Sequence, residues 1–427
     1  GRAAHRLVEA GRDRRTDGQL AGPEPGTTSA LAAANAALAV PVGYLGGLTL
    51  VSLVASRRQP PLRPAADPTT RFVVLVPAHD EATTISTMLR GVFAQEYPAV
   101  LFQVHVVADN CTDETASIAA ALGARVHERH DRSSPGKGPA LNWLVDRLVA
   151  DDVPFDAAVF IDADTTIAVD FLRVLDRRFR NGSIAVQGFY GVREAFESTP
   201  ATLRYCALAA RHHCRPLART AIGGSCGLFG NGMAFARQLV VDRSWSSHLV
   251  EDMEFQLDLL LSGVRVEYEP LARLEAEMPH TFADSVTQHQ RWEVGRFDLV
   301  RRYLPRLVAR VARPAGTSRV AAADAVADLC VPPLSLLAVV TGASAGLGAV
   351  LAAFSPNRSR WHFVGGILLA TLCCHVLASL RLVGAPSRAY RSLLHAPRLA
   401  VWKMSVLLRS IIGSDTDWVR TRRNAER

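Results

Sequence analysis

The chain has 427 residues, 48 Lys+Arg against 40 Asp+Glu, and 49% hydrophobic residues. That supplies a sizeable core and two to three domains at about 150 residues each, which excludes disorder for most of the chain. A formal charge of +8 leaves nucleic acid, anionic membrane and phosphorylated substrate open as partners, while seven cysteines without Cys-x-x-Cys spacing argue against a disulfide framework or a zinc site.

Residues 1–29 form a polar, Arg-rich segment. No charged residue stands between Glu24 and Arg57, and Ala30 to Ala55 is almost wholly apolar. At about 1.5 Å per residue such a run crosses a hydrocarbon core of about 30 Å, so residues 30–56 read as a transmembrane helix. A cleaved signal peptide is the rival. Its apolar core is shorter and its small residues stand at the far end, whereas Ala32–Ala37 lie at the near end. The prolines across Gln59–Thr69 make residues 57–70 a linker.

Residues 71–296 alternate short β-rich runs with helical patterns. Strands are expected at Phe72–Val76, Val104–Ala108, Arg125–Glu128 and Ala157–Ile161, and helices near Thr83–Gln95, Asp113–Leu122, Gly138–Ala150 and Asp170–Phe179. This is an α/β domain with a mostly parallel sheet, whose ligands should bind at the carboxyl ends of the strands. No Gly-x-Gly-x-x-Gly follows the first strand and no Walker motif occurs, which argues against a Rossmann dehydrogenase and a P-loop ATPase.

Beyond this domain, residues 297–320 carry apolar positions at helical spacing opposite arginines, the pattern of a helix lying in the membrane interface and equally of an ordinary amphipathic surface helix. Residues 329–354 and 361–383 read as a transmembrane hairpin joined by a polar turn, with buried core helices as the alternative, and residues 388–427 as an interface helix and tail. Arginines crowd both flanks of the hairpin, while its turn holds Arg358 and Arg360. That bias places the central domain and the tail in the cytoplasm of a multi-pass cell-membrane protein. The first span conflicts with it, since Arg2, Arg6, Arg12, Arg14 and Arg15 precede that segment. With the arginines beside the spans and no aromatic-interleaved basic groove, nucleic acid is not expected as a partner.

Three constellations carry chemistry. Asp162 and Asp164 follow an apolar strand and are hard oxygen ligands suited to Mg²⁺ or Mn²⁺, although Asp-x-Asp is also a common solvated turn. Glu251-Asp252 opens a helix, where capping and the helix dipole explain paired carboxylates; as a catalytic pair, one would be a general base toward a hydroxyl. Gln288-His-Gln-Arg-Trp292 brackets Arg and Trp on a helix leading into the Arg-rich segment.

Taken with Pro77-x-x-x-Glu81, Asp109, Lys137-Gly-x-x-Leu-Asn142 and Gly230-Asn-Gly232, these motifs resemble the membrane-bound glycosyltransferase family 2. The likeness is strongest to the branch with cellulose, chitin, hyaluronan and poly-N-acetylglucosamine synthases, and extends to ceramide glucosyltransferase. It implies an α/β fold: a GT-A type nucleotide-diphospho-sugar transferase domain with N-terminal and C-terminal transmembrane helices and amphipathic interface helices. The implied activity is inverting, metal-dependent transfer from a nucleotide-diphosphate sugar, by family default UDP-linked, to a growing polysaccharide. Transfer of one sugar to a membrane lipid is the alternative, and a non-catalytic scaffold the reading from another class. The resemblance assigns Pro77, Glu81, Asp109, Lys137, Asp162 and Asp164 to the nucleotide sugar and Asp164 with Asp162 to Mg or Mn. It makes Asp252, beside Glu251, the base. Gly230, Asn231, Gly232, Gln288, Arg291 and Trp292 would meet the acceptor. Leu228-Phe-Gly-Asn-Gly232 replaces the Phe-Phe-Cys-Gly-Ser of many polymer synthases, and three spans are few for an export channel, which points to export partners, a homo-oligomer or single transfer.

Overall fold

The computed structural model describes residues 25–57, 67–248, 250–277, 286–312, 318–354 and 360–412. The Arg-rich start, most of the Pro-rich linker, nearly all of the hairpin turn and the C-terminal tail fall outside these residues, and Gln288 and Arg291 are described in backbone alone.

Eight strands form one sheet: β1 Phe72–Ala78, β2 Phe102–Asp109, β3 Arg125–Arg129, β4 Ala157–Phe160, β5 Thr165–Ile167, β6 Ala185–Arg193, β7 Met233–Ala236 and β8 Glu267–Glu277, in the order β3-β2-β1-β4-β7-β6-β8-β5. The first four are mutually parallel, as the βα alternation requires. The other half is mixed, because β7 runs antiparallel to both β4 and β6 while β6 and β8 pair in parallel. Helices up to the last strand are α2 Ile85–Phe93, α3 Thr115–Ala121, α4 Lys137–Ala150, α5 Phe171–Arg180, α6 Thr199–Ala209, α7 Arg215–Ala221, α8 Arg237–Val241 and α9 Glu251–Leu261, after an N-terminal α1 at Pro25–Arg57. The C-terminal part adds α10 Val286–Ala312, α11 Ser318–Cys330, α12 Leu334–Phe354, α13 Trp361–Leu382, α14 Ser387–Ser392 and α15 Ala396–Ile412.

Both faces of the sheet are covered, which explains why β1 is apolar without interruption. The two-residue period sends Phe72, Val74 and Val76 into a core under α2 and α5, and Val73 and Leu75 into a second core under α4 and α9. In that second core Trp245 stacks on Phe255 with ring centroids 4.2 Å apart.

Helices α1, α12 and α13 are long and apolar enough to cross a membrane, with mean hydropathy of 1.9, 2.0 and 2.1 over their most apolar windows. They pack on one another with a few polar ties. The Asn35 amide donates to the Trp361 carbonyl at 3.2 Å and accepts from Ser344 at 2.7 Å, while Thr49 and the His375 ring share a 2.8 Å hydrogen bond. The amphipathic stripe in 297–311 belongs to α10, and Leu299, Tyr303 and Leu307 are buried against α9 and α11. Part of its apolar side thus packs on Leu257, Leu260, Ala321 and Ala325, while Phe297 and Val308 remain exposed.

A buried ionic network joins the apolar helices to the sheet domain. Arg219 of α7 donates to Asp324 at 2.8 Å and to Asp328 at 2.9 Å, both on α11, and the Tyr44 hydroxyl of α1 donates to Asp324 at 2.8 Å. Arg219 and Asp324 side chains are 4% and 2% exposed, so neither charge has water as a substitute partner. Asp324→Ala should therefore cost about 3–5 kcal/mol, measured as a lowered unfolding midpoint of the detergent-purified protein; an unchanged midpoint would contradict this role.

Candidate active site

The predicted residues gather where β1, β2 and β4 end. β1 carries Pro77 beside Val107 of β2, and the turn that follows bends through Asp80 at φ 52°. Glu81 is buried, with its backbone N–H on the Thr115 hydroxyl at 2.8 Å and its carboxylate accepting from Thr84 at 2.8 Å. Asp109, the last residue of β2, is buried against Arg129, the last of β3, at 2.6 Å. The His79 ring meets the Asp109 carbonyl at 2.7 Å and so ties the two strand ends together. Arg129 is a residue that motif reasoning missed, although parallel register places it beside Asp109.

The second part of the site is built on β4 and the starts of two helices. Asp162 follows β4, and its backbone N–H donates to the Asn231 side chain at 3.2 Å. Lys137, the first residue of α4 after Gly136 at φ 115°, donates to the Asp162 carboxylate and to the Gly230 carbonyl. Gly230 itself adopts φ 75°, and a Cβ there would stand 3.5 Å from Asp252 and 3.7 Å from the Lys137 ammonium. The positive φ is the conformation that turns the Gly230 carbonyl toward Lys137 without a side chain between them. Glu251 and Asp252 open α9, and the Asp252 carboxylate accepts its neighbour's backbone N–H, from Met253, at 2.8 Å. Asp164 is buried close to this centre in sequence.

Electrostatics of this centre follow from crowding. Burial, then repulsion from Asp252, push Glu251 up to about 7 against the pull of Lys137. Asp252 is also raised, first by burial, with the Met253 N–H, Lys137 and Arg211 acting the other way. Burial alone would lower Lys137, but Asp162, Glu251 and Asp252 outweigh it and hold the ammonium above its ordinary value. Several carboxylates around one ammonium leave the cluster short of positive charge. Hard oxygen donors in that condition fit Mg²⁺ or Mn²⁺.

Not every predicted residue faces the same space. Asn231 is fully buried, its amide donating to Thr165 at 2.7 Å and its backbone carbonyl accepting from Gln187 at 2.8 Å, so it positions Asp162 and does not reach an acceptor. Gly232 lies against Leu274, where an added Cβ would come within 1.9 Å, and is likewise internal. Gly230, Lys137, Asp162, Glu251, Asp252 and Trp292 do line one cavity of about 490 Å³. At its other end the walls are Leu45 of α1, Leu334 of α12, His375 of α13 and Trp402 of α15. Along its side, His212 is stacked between Tyr190 and Phe229, with centroids 5.2 and 4.1 Å away. Burial holds this ring neutral, at about 3. His212 sits in the π turn Ala210–Cys214 that joins α6 to α7, an irregularity no sequence period announces.

An α/β sheet with an acidic centre at its strand ends, facing a cavity, is the arrangement of a GT-A glycosyltransferase domain. The chain belongs to the glycosyltransferase-like family 2, whose family model matches residues 68–295. Among relatives, a poly-beta-1,6-N-acetyl-D-glucosamine synthase of Staphylococcus aureus is 24% identical over 240 residues, 53% of this chain and 55% of the relative. A beta-monoglucosyldiacylglycerol synthase of Nostoc is 28% identical over 242 residues, 54% of this chain and 49% of the relative. The chain thus spans about half the length of the relatives it matches. A mannosyltransferase from Pyrobaculum calidifontis, solved in complex with GDP-Man and Mn²⁺, shares the fold with a TM-score of 0.51 at 19% identity, over 82% of this chain and 99% of that one.

Lys137 is the cation that this cluster holds within the fold. Lys137→Met should raise the apparent pKa of the Glu251–Asp252 pair further and weaken nucleoside-diphosphate binding about 10-fold or more, read by nucleotide titration across pH. Unchanged binding and an unchanged pH profile would remove Lys137 from the site.

Proposed function

We propose that the protein is a membrane-embedded, inverting glycosyltransferase that moves a sugar from a nucleotide-diphosphate donor, UDP-linked in the first instance, to an acceptor arriving from the bilayer. One observation carries this reading: a single cavity is lined both by Asp252 and by residues of α1, α12 and α13. Pro77, Glu81 and Asp109 would hold base and ribose at the ends of β1 and β2, with Arg129 fixing the Asp109 carboxylate. Lys137 would meet the diphosphate. Mg²⁺ or Mn²⁺, held by Asp162 and Asp164, would supply Lewis-acid neutralisation of the leaving diphosphate.

On the cavity side, Asp252 takes the proton from the attacking hydroxyl. A single displacement with Asp252 as base would invert the anomeric centre, as in the family this chain belongs to. Burial raises the basicity of Asp252, and Trp292 offers a flat apolar wall for the acceptor. The cavity's apolar end favours a membrane lipid as acceptor. A growing polysaccharide is the second reading, favoured by the ring stack of Tyr190, His212 and Phe229 along the same wall. The Lys/Arg bias around α12 and α13 supports a multi-pass protein with its sheet domain in the cytoplasm.

Asp252→Asn should lower turnover about 100-fold or more in a radiolabelled nucleotide-sugar assay with purified protein, with donor binding retained. Full activity of that variant would exclude Asp252 as the base. Because Asp252 is raised and must be deprotonated to act, kcat/KM should be low in acid and climb with pH through a midpoint above the ordinary carboxylate range. A profile flat from pH 5 to 8 would contradict that assignment. Chelation by EDTA should abolish transfer, and Mg²⁺ or Mn²⁺ should restore it.

A further inference from the structure

The cavity's acceptor half carries a charge pattern that the transfer chemistry above does not use. Arg204, Arg211 and Arg215 line it together with Ala207 and Leu208, which makes one continuous face along α6, the π turn and α7. Arg296 of α10 and Lys403 of α15 border the same space. The lining carboxylates Asp162, Glu251 and Asp252 gather instead at the donor end with Lys137.

This positive charge also has partners within the fold, Arg204, Arg211 and Lys403 included. Arg215 pairs with Asp328, and Arg296 donates to the Leu329 carbonyl at 3.2 Å. Arg211 reaches the Met253 sulfur at 3.6 Å and acts electrostatically on Asp252, which places it next to the base. Arg204 is 9% exposed, and burial lowers its guanidinium to about 10, with Tyr190 acting the other way. Guanidinium groups beside a cavity are suited to forked, charge-assisted bonds with a phosphate, and more so where water is scarce. Beyond them the walls turn apolar at Leu45, Leu334, Leu399 and Trp402. Base, cationic stripe and apolar walls therefore line a single space.

Building on the transferase reading, we propose that the acceptor is a phospholipid with a free headgroup hydroxyl: its phosphate seats on Arg204 and Arg211, its hydroxyl reaches Asp252, and its acyl chains lie against Leu45, Leu334 and Trp402. In the transfer, the headgroup oxygen bonds to the anomeric carbon and that carbon's bond to the β-phosphate oxygen breaks. The hydroxyl proton passes to Asp252, and the electron pair leaves with the nucleoside diphosphate.

The test compares dioleoyl-phosphatidylglycerol, dioleoylglycerol and an oligosaccharide primer as acceptors in mixed micelles with a radiolabelled donor. Phosphatidylglycerol should be the best acceptor. Arg204→Gln should raise its KM about 10-fold, leave the donor KM in place, and be partly corrected by Arg204→Lys. Equal or better transfer to dioleoylglycerol or the primer would overturn the proposal, as would an Arg204→Gln effect on the donor KM, which would assign the stripe to the donor's diphosphate. A second measurement is independent of turnover: brominated phosphatidylglycerol should quench tryptophan fluorescence saturably, through Trp292 and Trp402, and more weakly in Arg204→Gln. Saturable, Arg204-dependent quenching without transfer from any donor would end the transferase reading and leave the lipid site standing. Quenching that is neither saturable nor Arg204-dependent would end the lipid site.

Discussion

One ammonium group holds the centre of this protein together. Lys137 donates to the Asp162 carboxylate and the Gly230 carbonyl and compensates Glu251 and Asp252, thereby linking the end of β4, the start of α4 and the start of α9. Each of those elements owes its position to a buried core, but the charges they carry at their ends would repel without a cation among them. The local backbone is shaped to the same end. Gly230 takes a left-handed conformation to aim its carbonyl, and the buried Asn231 fixes the chain beside it by bonding Asp162 and Thr165. The compensation is incomplete: burial first, and for Glu251 also repulsion from Asp252, makes the pair basic, and the excess negative charge makes the cluster a fit for a divalent cation.

A second buried ionic centre sets how this site stands relative to the apolar helices. Arg219 joins α7 to Asp324 and Asp328 of α11, and Tyr44 brings α1 onto the same aspartate. Helix α7 continues the π turn and α6, the segment whose stripe of arginines lines the cavity. Stability of the junction and shape of the cavity thus depend on the same few helices. A change in the network would reach the cavity wall before it reached the ends of β1 and β2, where Arg129 holds Asp109.

Much of this was legible in the sequence for simple reasons. Strands β1, β2 and β4 are short apolar or β-branched runs followed by acidic turns, and a parallel sheet brings such turns to one edge, so Glu81, Asp109 and Asp162 could be grouped before any coordinates. The apolar runs of α1, α12 and α13 declare themselves by length alone. What stayed hidden depends on tertiary pairing. The mixed half of the sheet arises from β7 running against its neighbours, which no local period encodes. Arg129 acquires its role through register with Asp109, and the fate of Asn231 through burial. The stripe of 297–311 carries equal spacing whether it meets lipid or protein, and packing alone shows that Leu299, Tyr303 and Leu307 meet α9 and α11. Arg204, Arg211 and Arg215 share a face across a π turn, where spacing is misleading until the helix is built.

In the proposed transfer, Asp252 serves as base in a single displacement that inverts the anomeric carbon. NMR of the anomeric centre in the product of a single turnover, compared with the donor, tests it most directly. Inverted configuration is the predicted result. Retained configuration would contradict the account, since a single displacement with Asp252 as base inverts that centre.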